Sequence, residues 1–522
     1  MILIRTLGAF ALLRETVLRL VPCVLLSLLL DVLGVAGAGE KVFVQYAPSP
    51  PTSLDPAKTN RIHDDRIIWL LYDALTQASA DGTRMLPALA ESWEKSADGL
   101  TYTFALRKNA RFHDGTLLDA EAVKASYERQ YLRGSPFYSP APPNVYERTL
   151  AGLVKDIRVL GRHSVAITLA YPRPQEFSLV KIVSLRGARA PHDLSRSPAG
   201  TGPFRLERWD TDSVTLAPFL RSWHARPKLD RVRFVALGTE AEAVERLIAG
   251  EFHLLLNVPP DFFEQLQQHP DVDLLKFGGL NTMILGMLLD RPALRDRRLR
   301  EAIVRAVNRE RIAAVLGRGA MLPARGPLPP GCRGFDPAIA QPPHDAERAR
   351  SLVRELNGAP IRLRLLYFSP LELWTELVHA IQGDLERVGI GVELVPASSW
   401  QDFHVQRRKG AHDLHLFQWT VSTPEPERFL FPLFQSQSQD NFGRFHHAGV
   451  DALLAEARKP MDEANRLQRY REVARLVAQE VPALFLVHRI GMAGVSARVQ
   501  GLSLNLYGLP QDKLATVDML GK

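Results

Sequence analysis

The run Trp419-Thr420-Val421-Ser422-Thr423-Pro424-Glu425-Pro426 sets an indole, three hydroxyls and a carboxylate directly after the apolar stretch Leu414 to Trp419. Such groups hold a ligand rather than break its bonds. An indole offers a flat apolar wall, while hydroxyls and loop backbone offer hydrogen bonds. With Leu414 to Trp419 as a strand of an α/β sheet, the loop after it lies at the carboxyl edge, where ligands of such sheets sit. Trp419 is then a pocket wall. The competing assignment is a core tryptophan, since Trp is highly buried on average.

His404, His412, His415, His446 and His447 lie near this run, and imidazole is a common ligand for nickel and zinc. On one extended strand, however, His412 and His415 point to opposite faces, and the adjacent His446 and His447 offer one ring to any one site. No metal site is expected, and no cofactor. A hydrolase is not expected either: the chain has no GxSxG elbow, no HExxH and no Ser-x-x-Lys with its companion motifs. Gly200-Thr201-Gly202 lacks the spacing of a dinucleotide or Walker loop and reads as a tight backbone crossing.

The chain has 522 residues, 46% hydrophobic and 23% charged, enough for more than one core. Its net charge of +8 is spread without a block of five or six like charges. That gives no nucleic-acid footprint and at most a preference for anionic ligands. Arg5, Arg14 and Arg19 precede the apolar run Leu20 to Leu30, and Ala36-Gly37-Ala38 supplies a cleavage pattern, so residues 1–38 read as a secretory signal peptide. The apolar run between Arg19 and Asp31 is short of the roughly 20 residues a spanning helix needs. Cys23 leaves with the signal and Cys332 remains alone, so no intrachain disulfide forms in the mature chain. Export without disulfides suits a bacterial periplasm, with an exported surface protein as the alternative.

The elements that must position the Trp419 run follow from periodicity. Strands are expected at Lys41 to Tyr46, Thr101 to Arg107 and Ser164 to Leu169, and helices at Arg61 to Leu75 and from an Asp119 cap to about Leu132. Phe204 to Trp209 and Ser213 to Phe219 read as a hairpin. Two α/β units follow. The first is Arg231 to Leu237, Glu240 to Ile248 and Phe252 to Val258. The second is Ile361 to Phe368, Leu371 to Val388, Val392 to Val395, a helix from Gln401, and Leu414 to Trp419. In both, a helix end meets a glycine, Gly250 or Gly410, and then a strand. Two such lobes in succession suggest a cleft between them. Asn281 to Leu289 is expected to be the crossing strand and hinge, followed by one helix from Arg297 to Leu316.

Seven stretches carry a family likeness: Leu54-Asp55-Pro56, Leu86 to Trp93, Leu100 to Lys124, Gly200 to Phe204, Asp296 to Arg311, Leu328 to Gly331 and Asn441 to Ala455. Together they resemble the family 5 extracellular solute-binding proteins, the peptide- and nickel-binding receptors of ABC importers. The resemblance spans nearly all of the mature chain in order. It implies an α/β, two-lobed periplasmic binding protein type II fold with an additional domain, three domains in all, of the cluster C kind. Domain I would comprise 39–72, 198–280 and 488–522, domain II 73–197, and domain III 281–487. The implied partners are a small-molecule or oligopeptide ligand and the transmembrane subunits of an ABC permease, with the receptor monomeric, periplasmic and not an enzyme. A metal-chelate carrier of the same family, or a sensor uncoupled from transport, are the alternatives.

In peptide-binding members the Trp419 region runs Trp, two variable residues, Asp, an aromatic, Pro, Asp, Pro, and the first Asp pairs with the peptide's α-ammonium. Here Trp419 and both prolines match, but the Asp position is Ser422. A buried charge without its partner costs roughly 3–5 kcal/mol, a factor of hundreds or more in affinity. Either another acid such as Glu425 reaches in, or the ligand presents no free α-amine there; the second is the expectation. By the same resemblance Asn60, Arg61 and Ile62 fall where members contact ligand, and Arg407 falls near a basic residue that meets a carboxylate, unless it is a solvated helix face. The expected ligand-binding set is thus Trp419, Thr420, Ser422, Glu425, Asn60, Arg61, Ile62 and Arg407.

Overall fold

Val-Phe-Val-Gln-Tyr-Ala is a strand sequence with large apolar side chains for both faces, and Val42–Ala47 is the middle of a seven-stranded sheet. It pairs in parallel with Arg231–Ala236 on one side and with Leu254–Leu256 on the other. Phe43 and Tyr46, an odd number of positions apart, enter different cores: Phe43 packs with Ile67, Leu70 and Leu71, and Tyr46 with Val244 and Leu247. The computed structural model describes residues 40–59, 61–138, 150–185, 194–356, 360–421 and 423–520. The expected signal peptide, Asn60 and Ser422 lie outside the described residues.

The first α/β unit is present, with a shorter final strand than expected. Thr239 caps the helix Glu240–Ile248 by accepting from the Glu242 N–H at 3.2 Å, and Gly250 ends it at φ +72°. A second sheet, four-stranded and antiparallel, runs Ala90–Lys95, Thr101–Leu106, Ser164–Leu169, Val154–Gly161. Tyr102, Phe104 and Leu106 alternate into its core, where Phe177 meets Phe104 edge-on at 4.8 Å. The Asp119 carboxylate accepts from the Ala122 N–H at 2.9 Å and starts the helix Ala120–Tyr131 over that core. From this helix Arg129 reaches the Asp55 carboxylate with two hydrogen bonds, 2.9 and 2.7 Å, fully buried. The Asp-Pro turn is therefore a fastening between the two sheets as well as a turn.

Gly200 and Gly202 lie hard against the end of the helix Ile62–Leu71, where added Cβ atoms would meet the Leu71 and Leu70 carbonyl oxygens at 2.1 and 2.2 Å. The Gly-Thr-Gly is thus a close backbone crossing, and Thr201 between them donates to Asp73 at 2.8 Å.

The third sheet is six-stranded, in the order Met321–Pro323, Ala483–Arg489, Asn281–Met287, Leu414–Thr420, Ile361–Phe368, Ile390–Ala397. Asn281–Met287 is antiparallel to Leu414–Thr420 along its whole length, Asn281 opposite Thr420 and Met287 opposite Leu414. It also pairs with Ala483–Arg489 on its other edge. The expected crossing strand is thus an interior strand, bonded on both sides and unable to absorb a hinge rotation. The chain crosses just before it, through Gly278, Gly279 and Leu280, and returns through Ile490 between Ala483–Arg489 and Gly491–Ser496. Gly278 and Gly279 hold φ of +81° and +121°, values that glycine adopts without strain.

The expected single helix from Arg297 to Leu316 is two, Arg297–Ala306 and Arg309–Gly317. Asn308 breaks it, because its side chain accepts from the Arg311 N–H at 2.8 Å and starts the second helix. Asn308→Ala is expected to lose about 1 kcal/mol of stability in urea unfolding, the worth of one cap. An unchanged midpoint would show that packing alone sets the break.

Candidate functional site

Leu414–Thr420 and Ile361–Phe368 are parallel, so Thr420 and Phe368 end at one edge of the six-stranded sheet. Beyond that edge lies a cavity of about 750 Å³, within the size range of small-molecule sites. Its walls come from the surroundings of the three large sheets: the helix Ile62–Leu71, the turn around Gly82, the segment 171–181, the segment 419–432, and Asn505 to Leu509.

Trp419 is both of the things expected of it. Its ring packs on the core that includes Leu416 and Phe429, it lines the cavity, and its indole N–H donates to the Arg428 carbonyl at 2.8 Å. Thr420 also lines the cavity, its hydroxyl accepting from Gln418 at 3.0 Å. Ile62 lines it from the other side and is 53% exposed. The other described members of the expected set are elsewhere. Glu425 is buried and paired at 2.8 Å with Arg333, which also binds Glu463 at 2.5 Å. Burial pushes the Glu425 carboxyl up in pKa while Arg333 pulls it down. This acid secures the loop and does not reach the cavity. Arg61 is tied to Ser49 and the Pro50 carbonyl. Arg407 lays its guanidinium over Phe442 at 3.7 Å, away from the lining.

The reading of the histidines also needs correction. His412 precedes the strand, so alternation does not govern it, and its ring meets that of His415 at 5.2 Å. Both are buried in the sheet's own packing, and among the described residues no group of three or more His, Cys, Asp or Glu side chains converges. Cys332 is buried, its thiol directed at the Pro424 carbonyl, and burial raises its pKa, which leaves it unreactive.

The residues missed by sequence reasoning are mostly charged. Glu176, fully buried, accepts from Arg428 across the cavity and lies 3.1 Å from Arg173. Burial alone would raise its pKa, but the two guanidiniums overcome that and hold it below the ordinary range. Arg458 binds Glu427 and lies over both Phe431 at 3.4 Å and Tyr171 at 4.6 Å, again joining opposite walls. The helix Ile62–Leu71 brings Ile62, Asp65 and Trp69 to the cavity wall, with Trp69 also packed against the core beneath. Lys181 stands beside them with its ammonium 4.9 Å from the Trp69 ring. The only sequence signal for this wall was the i, i+3, i+7 spacing of Ile62, Asp65 and Trp69, opposite the apolar stripe. An indole on each wall, flanked by fixed charges, can sandwich a small polar ligand and hold it by hydrogen bonds.

Comparison with known proteins gives a consistent picture. The family model described as bacterial extracellular solute-binding proteins, family 5 Middle, matches residues 84–441. Di/tripeptide-binding protein 2 of Pseudomonas aeruginosa is 28% identical over 497 residues, covering 90% of this chain and 93% of the relative. The structure of HbpA2 from Haemophilus parasuis superposes with a TM-score of 0.83 at 26% identity, over 92% of this chain and all of that one. The periplasmic binding protein DppA of Helicobacter pylori, solved with the peptide STSA, gives a TM-score of 0.77 at 24% identity over 92% of this chain and 98% of the other. The fold is the two-lobed α/β fold of type II periplasmic binding proteins with an additional domain. With elements around its three large sheets closing on one cavity and a family match over most of its length, the chain belongs to the family 5 bacterial extracellular solute-binding proteins.

Proposed function

We propose that this chain is the periplasmic receptor of an ABC importer, and that it takes a short peptide or another small solute into the cavity between the Trp69 and Trp419 walls and hands it to the permease. The observation that carries the reading is the cavity itself, closed across its walls by the Glu176–Arg428 and Arg458–Tyr171 contacts. The di/tripeptide-binding relatives supply the ligand class. Domain I would be 39–72, 198–280 and 488–522, domain II 73–197 and domain III 281–487. The seven-, four- and six-stranded sheets draw their strands from these ranges in turn, except that Ala483–Arg489 runs two residues past 487, and this supports the division. Closure would turn at Gly278 to Leu280 and Ile490, where the chain passes between sheets. Ligand contacts to both walls favour the closed form, which the permease recognises, and no bond of the ligand changes. Residues 1–38 would direct export, and the receptor would act as a monomer.

Calorimetric titration with a pooled dipeptide and tripeptide library, paired with small-angle scattering, tests this. Saturable uptake with a fall in radius of gyration is the expected result; uptake of none of the pool would sink the peptide reading. Trp419→Ala is expected to weaken binding about tenfold or more, as a buried aromatic contact is lost. Unchanged affinity would show that the ligand does not rest on this wall.

A further inference from the structure

The family pattern places a carboxylate on the loop after Trp419, and this chain has Ser422 there, so a ligand's positive group needs another partner. Among the described residues three acids line the cavity: Asp65, Glu427 and Asp440. Glu427 is taken, with two contacts from Arg458 at 2.7 and 2.5 Å. Asp440 faces the charge of Arg407. Asp65 differs. Its side chain is exposed to the cavity and forms no hydrogen bond and no ion pair within 4.0 Å among the described residues. The surrounding cavity walls still desolvate it enough to lift its pKa to about 6, against the opposing pull of Lys181. The carboxylate feels Lys181 only at a distance, so an ammonium brought by a ligand would give it a close partner.

Lys181 is its counterpart. The ammonium donates to the Ser178 carbonyl at 3.3 Å and forms no ion pair within 4.0 Å among the described residues. Burial brings its pKa down to about 8, with Lys513 adding to the effect. One wall thus carries an anion and a cation that attract each other without closing an ion pair, the cation beside the Trp69 ring, which is held in place by its N–H bond to the Pro510 carbonyl at 2.9 Å. Two opposite charges left apart in one cavity match a ligand that carries both signs, each ligand charge replacing water on one protein charge.

We propose that Asp65 and Lys181 form the head-group subsite for a zwitterionic ligand, Asp65 taking its ammonium and Lys181 its carboxylate. The subsite lies on the wall opposite the Trp419 loop, so the ligand's amine is met from the other side of the cavity than the family pattern implies. It rests on the reading of the cavity as the ligand site and specifies the ligand: an amino acid or short peptide with free termini, rather than a solute without an amine.

The test compares a dipeptide pool with free amino termini, the same pool N-acetylated, and the same pool C-amidated. Calorimetry would be run on the wild type, Asp65→Asn, Lys181→Gln and Asp440→Asn. The wild type should take the free pool and bind the acetylated and amidated pools at least about tenfold more weakly. Asp65→Asn should lose the preference against acetylation, Lys181→Gln the preference against amidation, and Asp440→Asn neither. Equal melting temperatures, expected for side chains facing the cavity, separate lost contacts from lost folding, and recovery in Asp65→Glu would mark the charge as the cause. Acetylated peptides binding as well as free ones, or Asp65→Asn binding as the wild type does, would overturn the subsite alone. A wild type that binds none of the pools would overturn the peptide reading and the subsite with it.

Discussion

Lowering the pH from 7 to 5 is expected to cost the fold several kcal/mol, read as a fall in the urea midpoint with little change in slope. His253, His412 and His488 are buried, and burial brings each pKa down to about 4, with neighbouring arginines adding to the effect at His253 and His412. His253 must be neutral to act as it does, because its Nδ1 accepts from the Val44 N–H at 2.9 Å beside the central strand. In the unfolded chain these rings titrate near 6.5. Between pH 6.5 and about 4 the unfolded state therefore binds more protons than the folded one, so stability is full above 6.5 and declines as pH falls through that window. At pH 5 each such histidine contributes a loss of about 2 kcal/mol. A midpoint that stays flat from pH 7 to pH 5 would mean that these rings are reached by water or protonate in place.

Glu176→Gln is expected to destabilise the protein by about 3 kcal/mol and to weaken ligand binding as well. The carboxylate neutralises Arg173 and Arg428, so its amide replacement leaves two guanidiniums facing each other. Breaking a buried pair from one side costs roughly 3–5 kcal/mol, and the low end applies because both arginines border the cavity and keep access to water. The contact joins the 3-10 turn Pro174–Ser178 to the helix Glu427–Phe434, which lie on opposite walls. Its loss should therefore depopulate the closed form. A double-mutant cycle with Arg428→Gln checks both points, since residues joined across a closing cleft show coupling of about 0.5–3 kcal/mol in stability and in affinity. Coupling in stability with none in affinity would confine the pair to holding the fold.

What was legible in the chain beforehand is what local rules decide. Asp119 with Glu121 in the first turn marked a helix start within one residue, and the alternation of Tyr102, Phe104 and Leu106 marked a strand and its buried face. Gly250 and Gly410 marked helix ends, and both hold positive φ. Asn308 was passed over because the apolar spacing continues across it, although its side chain offered the cap that divides the helix. His412 lies two residues before the strand begins, where alternation no longer sets its direction. The cavity was half legible. Trp419 and Thr420 sit at a strand end, a position that topology favours for ligands, and Ile62 follows the Asp-Pro turn. Asp65, Glu176, Lys181 and Arg428 come from segments far apart in sequence, and only tertiary packing brings their charges to one space. Glu425 and Arg407 show the converse. Their residue types suited a ligand, but Arg333 and Phe442 took them first.

The most direct test of the central claim is native mass spectrometry of the wild type and Trp419→Ala, purified in parallel from the host periplasm, with the released compounds identified. Wild-type protein is expected to carry peptide-sized masses with free amines, and the same masses should be largely missing from the variant. Equal occupancy in the two proteins would place the ligand away from the Trp419 wall, and a single compound without an amine would contradict the zwitterion-binding cavity.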